Sequence, residues 1–240
     1  MSEKEKIIVF SSREICYQSS SFFANQMADA FEDLGFDVQV CEFDEHDDLD
    51  AVFQPLYGQK YRLLLDFNST ITRMVEEDGT PVLDKLDGPF FDYILDHPLF
   101  HYNCLNADLK NLNGIFLDEA QEAYPRVKKT LTMPLGATEA VTGGKKTETD
   151  TVLFMGTYDR PDKIYEMVDL SPEPLRSYMK ELIEMRIEDP ILPMEEAFRQ
   201  LLKAHGEKLP DDKFSLFMNA MYSVDAYIRD YFRKAAVDEL

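Results

Sequence analysis

The feature that most constrains the fold of this chain is a regular alternation between short apolar runs and stretches of helical periodicity. Ile7, Ile8, Val9 and Phe10 form the first run, closed by Ser11 and Ser12, and read as a buried strand of a parallel sheet. Ser19, Ser20 and Ser21 then offer N-cap oxygens. Phe22, Phe23, Gln26, Met27, Ala30, Phe31 and Leu34 follow at helical spacing up to Gly35, a suitable residue for a helix end. Further strands are predicted at residues 36–43, 62–68, 90–95, 114–117 and 130–134. Leu49, Val52, Phe53 and Leu56 predict a short second helix, and Asp118 and Glu119 an acidic helix start that complements the helix dipole. This order predicts an α/β fold: a Rossmann-like parallel sheet with right-handed crossovers, flanked by helices.

Glycine usage splits the chain. Nine of the ten glycines lie at or before Gly156, and only Gly206 follows. Residues 138–150 are polar and aperiodic and read as a linker, and residues 151–156 read as one more strand. Beyond them come amphipathic stripes: Leu175, Tyr178, Met179, Leu182 and Ile183; Met194, Ala197, Phe198, Leu201 and Leu202; and a third from Phe214 to Phe232. Pro190, Pro193 and Pro210 separate these helices. The expectation is a Rossmann-like domain over 1–150, then a single strand and a mostly helical segment over 151–240.

Charge narrows the possible partners. The chain of 240 residues carries 46 acidic and 25 basic side chains, a net charge of −21. Such a polyanion repels phosphate backbones and anionic lipid, which excludes unspecific nucleic-acid or membrane-surface binding. No apolar run approaches the roughly 18 residues a membrane span needs. Cys16, Cys41 and Cys104 are odd in number and far apart, so a reducing, cytoplasmic setting is expected over a disulfide framework.

Familiar cofactor motifs are absent: the sequence has no G-x-G-x-x-G, P-loop, H-E-x-x-H or C-x-x-C. Gly143-Gly144-Lys145-Lys146-Thr147 has the wrong spacing for a phosphate loop and reads as a flexible polar segment. Ligands of open α/β sheets bind beyond the carboxyl ends of the strands. Four segments deliver polar side chains there: Ser11-Ser12-Arg13, Glu42, Asp66-Phe67-Asn68-Ser69 and Asp96-His97. Asp96 beside His97 suits proton abstraction, because histidine titrates near neutral pH. His101 lies four residues on and would share a helix face with His97 if a helix starts at Pro98. The competing reading makes Asp96 a helix cap and His97 a buried, hydrogen-bonded residue. No metal is expected at Asp96, His97 and His101. The acidic run from Asp44 to Asp48 lacks the spacing of a hard-cation site and reads as a solvated helix start.

The segments FDYILDHPLFHY, NGIFLDE…YPRV, TLTMPLGA and DTVLFMGTYDRP, in that order over roughly residues 5–165, resemble bacterial glycosyltransferase-like proteins related to the spore-maturation protein CgeB. That family is expected to have the two-Rossmann-domain (GT-B) architecture. The resemblance implies an amino-terminal, acceptor-side domain, with the VLFMG strand opening the second domain that normally carries the nucleotide-sugar site. After Gly156 the helical grammar departs from that pattern, so the implied function is the acceptor portion of a transferase, inactive without a donor domain. His97 or Asp96 would act as the base toward an acceptor hydroxyl. Ser11, Ser12, Arg13, Asp66, Asn68 and His101 would line the cleft. No cofactor is implied beyond a nucleotide-sugar co-substrate, and the expected partners are a sugar or glycan acceptor and a missing carboxyl-terminal domain or protein partner. The alternative is a non-catalytic α/β binding or scaffold module whose helical tail docks a protein.

Overall fold

The computed structural model describes residues 4–13, 19–44, 46–121, 126–136 and 160–239. The predicted strand at 151–156, the polar segment 138–150, Cys16, Glu45 and part of the YPRV motif lie outside these residues. The chain divides into two units, Met1–Leu135 and Gly136–Leu240.

The first unit is built on six strands: β1 (Lys6–Ser12), β2 (Asp37–Phe43), β3 (Leu63–Phe67), β4 (Phe90–Tyr93), β5 (Leu112–Phe116) and β6 (Thr130–Thr132). They form one sheet in the order β2-β1-β3-β4-β5-β6, and every pairing is parallel. The strands match the apolar runs because a sheet covered on both faces buries both sets of side chains. Ile8, Phe10, Leu64 and Phe90 join one core layer, and Ile7, Val9, Leu65 and Tyr93 the other, as the two-residue alternation of a strand requires.

Helix α1 (Ser19–Asp33) covers the second layer with Phe23, Met27 and Phe31. The short α2 (Leu49–Phe53) covers the first, where Phe53 meets Phe43 edge-on at a centroid distance of 5.1 Å. Asp48 caps α2 by accepting from the Ala51 N–H at 3.2 Å. The order therefore reverses at β1, whose neighbours are reached by crossovers on opposite faces.

Beyond β3 the connections change character. β3 joins β4 through 3-10 turns at Ile71–Arg73 and Val82–Lys85. β4 joins β5 through a 3-10 turn at Pro98–His101 that runs into a one-turn helix, α3 (Tyr102–Leu105). The helix start predicted at Asp118 and Glu119 is a 3-10 turn, Glu119–Gln121, in the described part.

The second unit is helical throughout its described residues: α4 (Pro161–Asp169), α5 (Leu175–Glu188), α6 (Met194–Ala204), α7 (Asp211–Ala220) and α8 (Tyr222–Glu239). Pro193 and Pro210 stand at the N-caps of α6 and α7, where a missing N–H costs nothing. The third predicted stripe is divided at Met221 into two helices, with Phe214 and Met218 buried from one and Val224 and Ile228 from the other. None of the described helices is long and apolar enough to cross a membrane.

Candidate functional site

The carboxyl ends of β3 and β4 are laced together by buried acids. Asp66 and Asp92 are register partners on these neighbouring strands, and both are fully buried. Each keeps the parity of an apolar residue two positions earlier, Leu64 and Phe90, so both carboxyls enter the first core layer. Asp66 accepts from the N–H groups of Phe67 at 2.8 Å and Ile71 at 2.7 Å. Asp92 accepts from Ser69 twice, from its N–H at 2.9 Å and its hydroxyl at 2.6 Å. Burial pushes Asp92 up to about 6, and burial together with the Asp92 charge pushes Asp66 well above the usual carboxylate range.

These bonds hold an unusual turn. Asn68 and Ser69 both adopt left-handed backbone, with φ of 52° and 59°. Two consecutive non-glycine residues there cost free energy, and Asp66 and Asp92 supply the hydrogen bonds that offset it. The turn aims the Asn68 amide at the end of β4. Its Oδ1 accepts from the N–H of Leu95 at 2.8 Å and of Asp96 at 3.2 Å, while Nδ2 donates to Asp96 Oδ2 at 3.0 Å. Asp96 remains exposed.

Behind Asp96 lies His101, at the end of the 3-10 turn. It is 5% exposed, and its Nε2 stands 4.0 Å from Asp96 Oδ2. Among the described residues, neither ring nitrogen has a hydrogen-bond partner. Burial pushes the imidazole down to about 4, against the pull of Asp96, so it is neutral at pH 7. A buried polar group without a partner costs about 1–3 kcal/mol, a departure that calls for a reason.

The two candidate histidines thus have different employment. His97, half-buried, is the N-cap of the 3-10 turn, and its Nδ1 accepts from the Leu99 N–H at 3.3 Å. The cap is the imidazole and not the Asp96 carboxylate. His101 comes to Asp96 because the chain after Pro98 winds as a 3-10 turn before α3 begins.

The polar end of β1 is engaged locally. The Ser11 hydroxyl lies 3.3 Å from that of Ser20 and 3.4 Å from that of Ser21, and the Ser20 hydroxyl donates to the Ser12 carbonyl. Ser11 and Ser12 are buried and tie β1 to the start of α1. Arg13 grips Asp44 at 2.8 Å and Asp47 at 2.6 Å, so the acidic run is partly a clamp on this arginine. The structure brings Asn68, Asp96 and His101 together at the carboxyl ends of β3 and β4, while Asp66 is buried in the core.

Sequence reasoning missed Asp92, whose signal was an acid inside the apolar run FFDYIL, and Arg73, on the 3-10 turn that follows Ser69. No group of three or more His, Cys, Asp or Glu among the described residues is placed to hold a metal ion. An open hollow of about 660 Å³ lies at the amino edge of the sheet, lined by Lys4, Lys6, Lys60 and Arg62. That edge faces away from the strand ends where ligands of such sheets bind. No protein-family model, curated protein or solved structure matches this chain.

Proposed function

We propose that the sheet unit binds a hydroxyl-rich acceptor, as the acceptor half of a GT-B-type sugar transferase. The observation that supports this reading is the Asn68–Asp96–His101 constellation at the carboxyl edge of β3 and β4. A fixed amide and an exposed carboxylate side by side offer donors and acceptors to neighbouring hydroxyls, with the His101 imidazole buried behind them. In transfer, the acceptor oxygen would bond to the anomeric carbon of a nucleotide-sugar and its proton would pass to Asp96. The bond from that carbon to the diphosphate would break, with the electron pair leaving on the diphosphate.

No glycine follows β1 before Gly35 to cradle a phosphate, which supports assigning this edge to the acceptor and not to the nucleotide-sugar donor. Residues 1–240 are therefore proposed to bind an acceptor without turning it over. The test is NMR titration of this protein with a panel of saccharides and, separately, nucleoside diphosphates. Saccharide-induced shifts at Asn68, Asp96 and His101 support the reading. Transfer from a nucleotide-sugar by this chain alone, or nucleotide binding at that edge instead of saccharide, refutes it. Silence with every saccharide returns the chain to the scaffold alternative.

A further inference from the structure

The balance of charge in this acidic molecule inverts at the hollow of about 660 Å³ at the amino ends of β1 and β3. The whole chain has 46 acids to 25 bases, yet Lys4, Lys6, Lys60 and Arg62 line this hollow against one acid, Glu5. The backbone that carries these cations is fastened to the sheet. The Arg62 N–H donates to the Lys6 carbonyl at 2.8 Å, one position before the Ile7–Leu63 register pair, and Lys60 forms a parallel bridge with Asp87. Tyr61 turns into the first core layer, 4% exposed, and donates its hydroxyl to the Leu56 carbonyl at 2.9 Å. Gly88 packs so closely behind it that a Cβ there would stand 2.9 Å from the Tyr61 carbonyl oxygen. The wall is therefore fixed by close packing.

The cations also keep their charge. Lys6 Nζ donates to Gln59 Oε1 at 2.7 Å, and Gln59 is anchored in turn by donating from Nε2 to the Pro55 carbonyl at 2.7 Å. A neutral amide thus aims the ammonium without cancelling it, and two of its three N–H groups remain for a ligand. Arg62 comes no nearer to Glu5 than 3.9 Å, and both side chains are largely exposed. Asp37 and Asp87 reach these strand ends through backbone bonds, to the Glu5 carbonyl and from the Tyr61 N–H. Among the described residues, neither carboxylate pairs with Lys4, Lys6 or Lys60. Cations around a common hollow repel one another, and an anion among them relieves that repulsion.

Size and chemistry narrow the anion. The hollow measures about 9 Å across, close to the distance of about 8–10 Å over which salt screens a charge. An anion that stays inside feels the four cations, whereas a long acidic chain would run out over a surface of net charge −21. Three of the four cations are ammonium points, which suit the tetrahedral oxygens of phosphate better than the flat face of a carboxylate. The buried Tyr61 ring offers no face on which a base could stack. We propose that this hollow holds a compact oligophosphate, free or as the head of a larger molecule, with the ammonium groups of Lys4, Lys6 and Lys60 on its oxygens. The hollow lies at the opposite strand ends from Asn68 and Asp96, so the inference is independent of the acceptor reading.

The experiment titrates residues 1–240 with inorganic triphosphate, ATP, citrate and a hexaglutamate peptide in metal-free buffer, followed by amide NMR at low and moderate salt. Triphosphate shifts should gather at residues 4–6 and 59–62, and the affinity should fall as salt rises. Citrate and hexaglutamate should bind about fivefold or more weakly than triphosphate. Changing Lys4, Lys6 and Lys60 together to glutamine should weaken triphosphate about tenfold or more. The same change at Lys163, Lys203 and Lys208, exposed in the helical unit, removes equal charge and should leave affinity within about twofold. Circular dichroism checks that both variants fold, and the shift map of the unaltered protein decides the matter if the first does not. ATP bound as tightly as triphosphate assigns the hollow to the head of a larger molecule, and ATP bound far more weakly assigns it to free oligophosphate. ATP bound far more tightly shows that more than phosphate is read and overturns the assignment, as does citrate or hexaglutamate matching triphosphate. Equal losses in the two triple variants, shifts scattered over the helical unit, or no binding of triphosphate at low salt overturn the site itself.

Discussion

Replacing Asp92 by asparagine tests the buried acid pair on which the site turn depends. Asp92 is fully buried, and burial raises its carboxyl from an ordinary 3.8 to about 6. The folded chain therefore holds this proton more tightly than the unfolded chain does. Stability from this group is complete below about pH 4, falls as pH rises, and is lost by about pH 6. The shift of about 2 units, at ~1.4 kcal/mol each, amounts to about 3 kcal/mol. An asparagine cannot ionise. Its Oδ1 still accepts from the Ser69 N–H, and the Ser69 hydroxyl can turn to accept from its Nδ2.

The assay is urea unfolding of both proteins by circular dichroism between pH 4 and pH 8. The difference between variant and wild type cancels the titration of the other carboxylates. It should start near or slightly below zero at pH 4 and climb by about 3 kcal/mol in favour of Asp92→Asn by pH 7. A flat difference, or one that falls with rising pH, would refute the idea that Asp92 is forced to carry charge in the core. Asp66→Asn should show the same sign, and the double variant should gain less than the sum because the two carboxyls interact.

Three further outcomes are expected. Gly114→Ala should cost about 1–3 kcal/mol by urea unfolding, because the new methyl would lie 2.7 Å from the Phe116 ring. Arg186→Met should lower the melting temperature of the helical unit. Its guanidinium donates to the carbonyls of Asp189, Pro190 and Leu192 beyond α5, and their loss should cost about 2–4 kcal/mol. Cys41 is 6% exposed and burial pushes its thiol up to about 12. In the native protein at pH 8 it should react with iodoacetamide more than about 100-fold more slowly than Cys104, and a comparable rate on peptide mapping would contradict its placement.

The sheet was legible because strands buried on both faces announce themselves as unbroken apolar runs. Ile7 to Phe10 and Leu63 to Leu65 needed no knowledge of their neighbours. The strand order was not legible, since pairing across 20 or more residues leaves no local mark; with it went the meeting of Asp66 and Asp92. Asp66 read as a strand-end ligand when its parity with Leu64 pointed it inward. Asn68 and Asp96 could be singled out because polar residues at strand ends are where ligands of such sheets bind, and the structure joins the two by a hydrogen bond. Assigning the roles of His97 and His101 needed the 3-10 geometry after Pro98, because proline announces that a turn begins and not how tightly it winds.

The lacing of β3 and β4 also has a mechanical meaning. Asp92 reaches from β4 to hold the turn after β3, while Asn68 reaches from that turn to hold the end of β4. Each strand is thus both hook and eye, so sliding one along the other by a fraction of a residue would unfasten both clasps at once. Such a seam has no soft direction along the strands. Any opening and closing over a ligand at this edge has to be done by whatever approaches it, against an anvil that does not give.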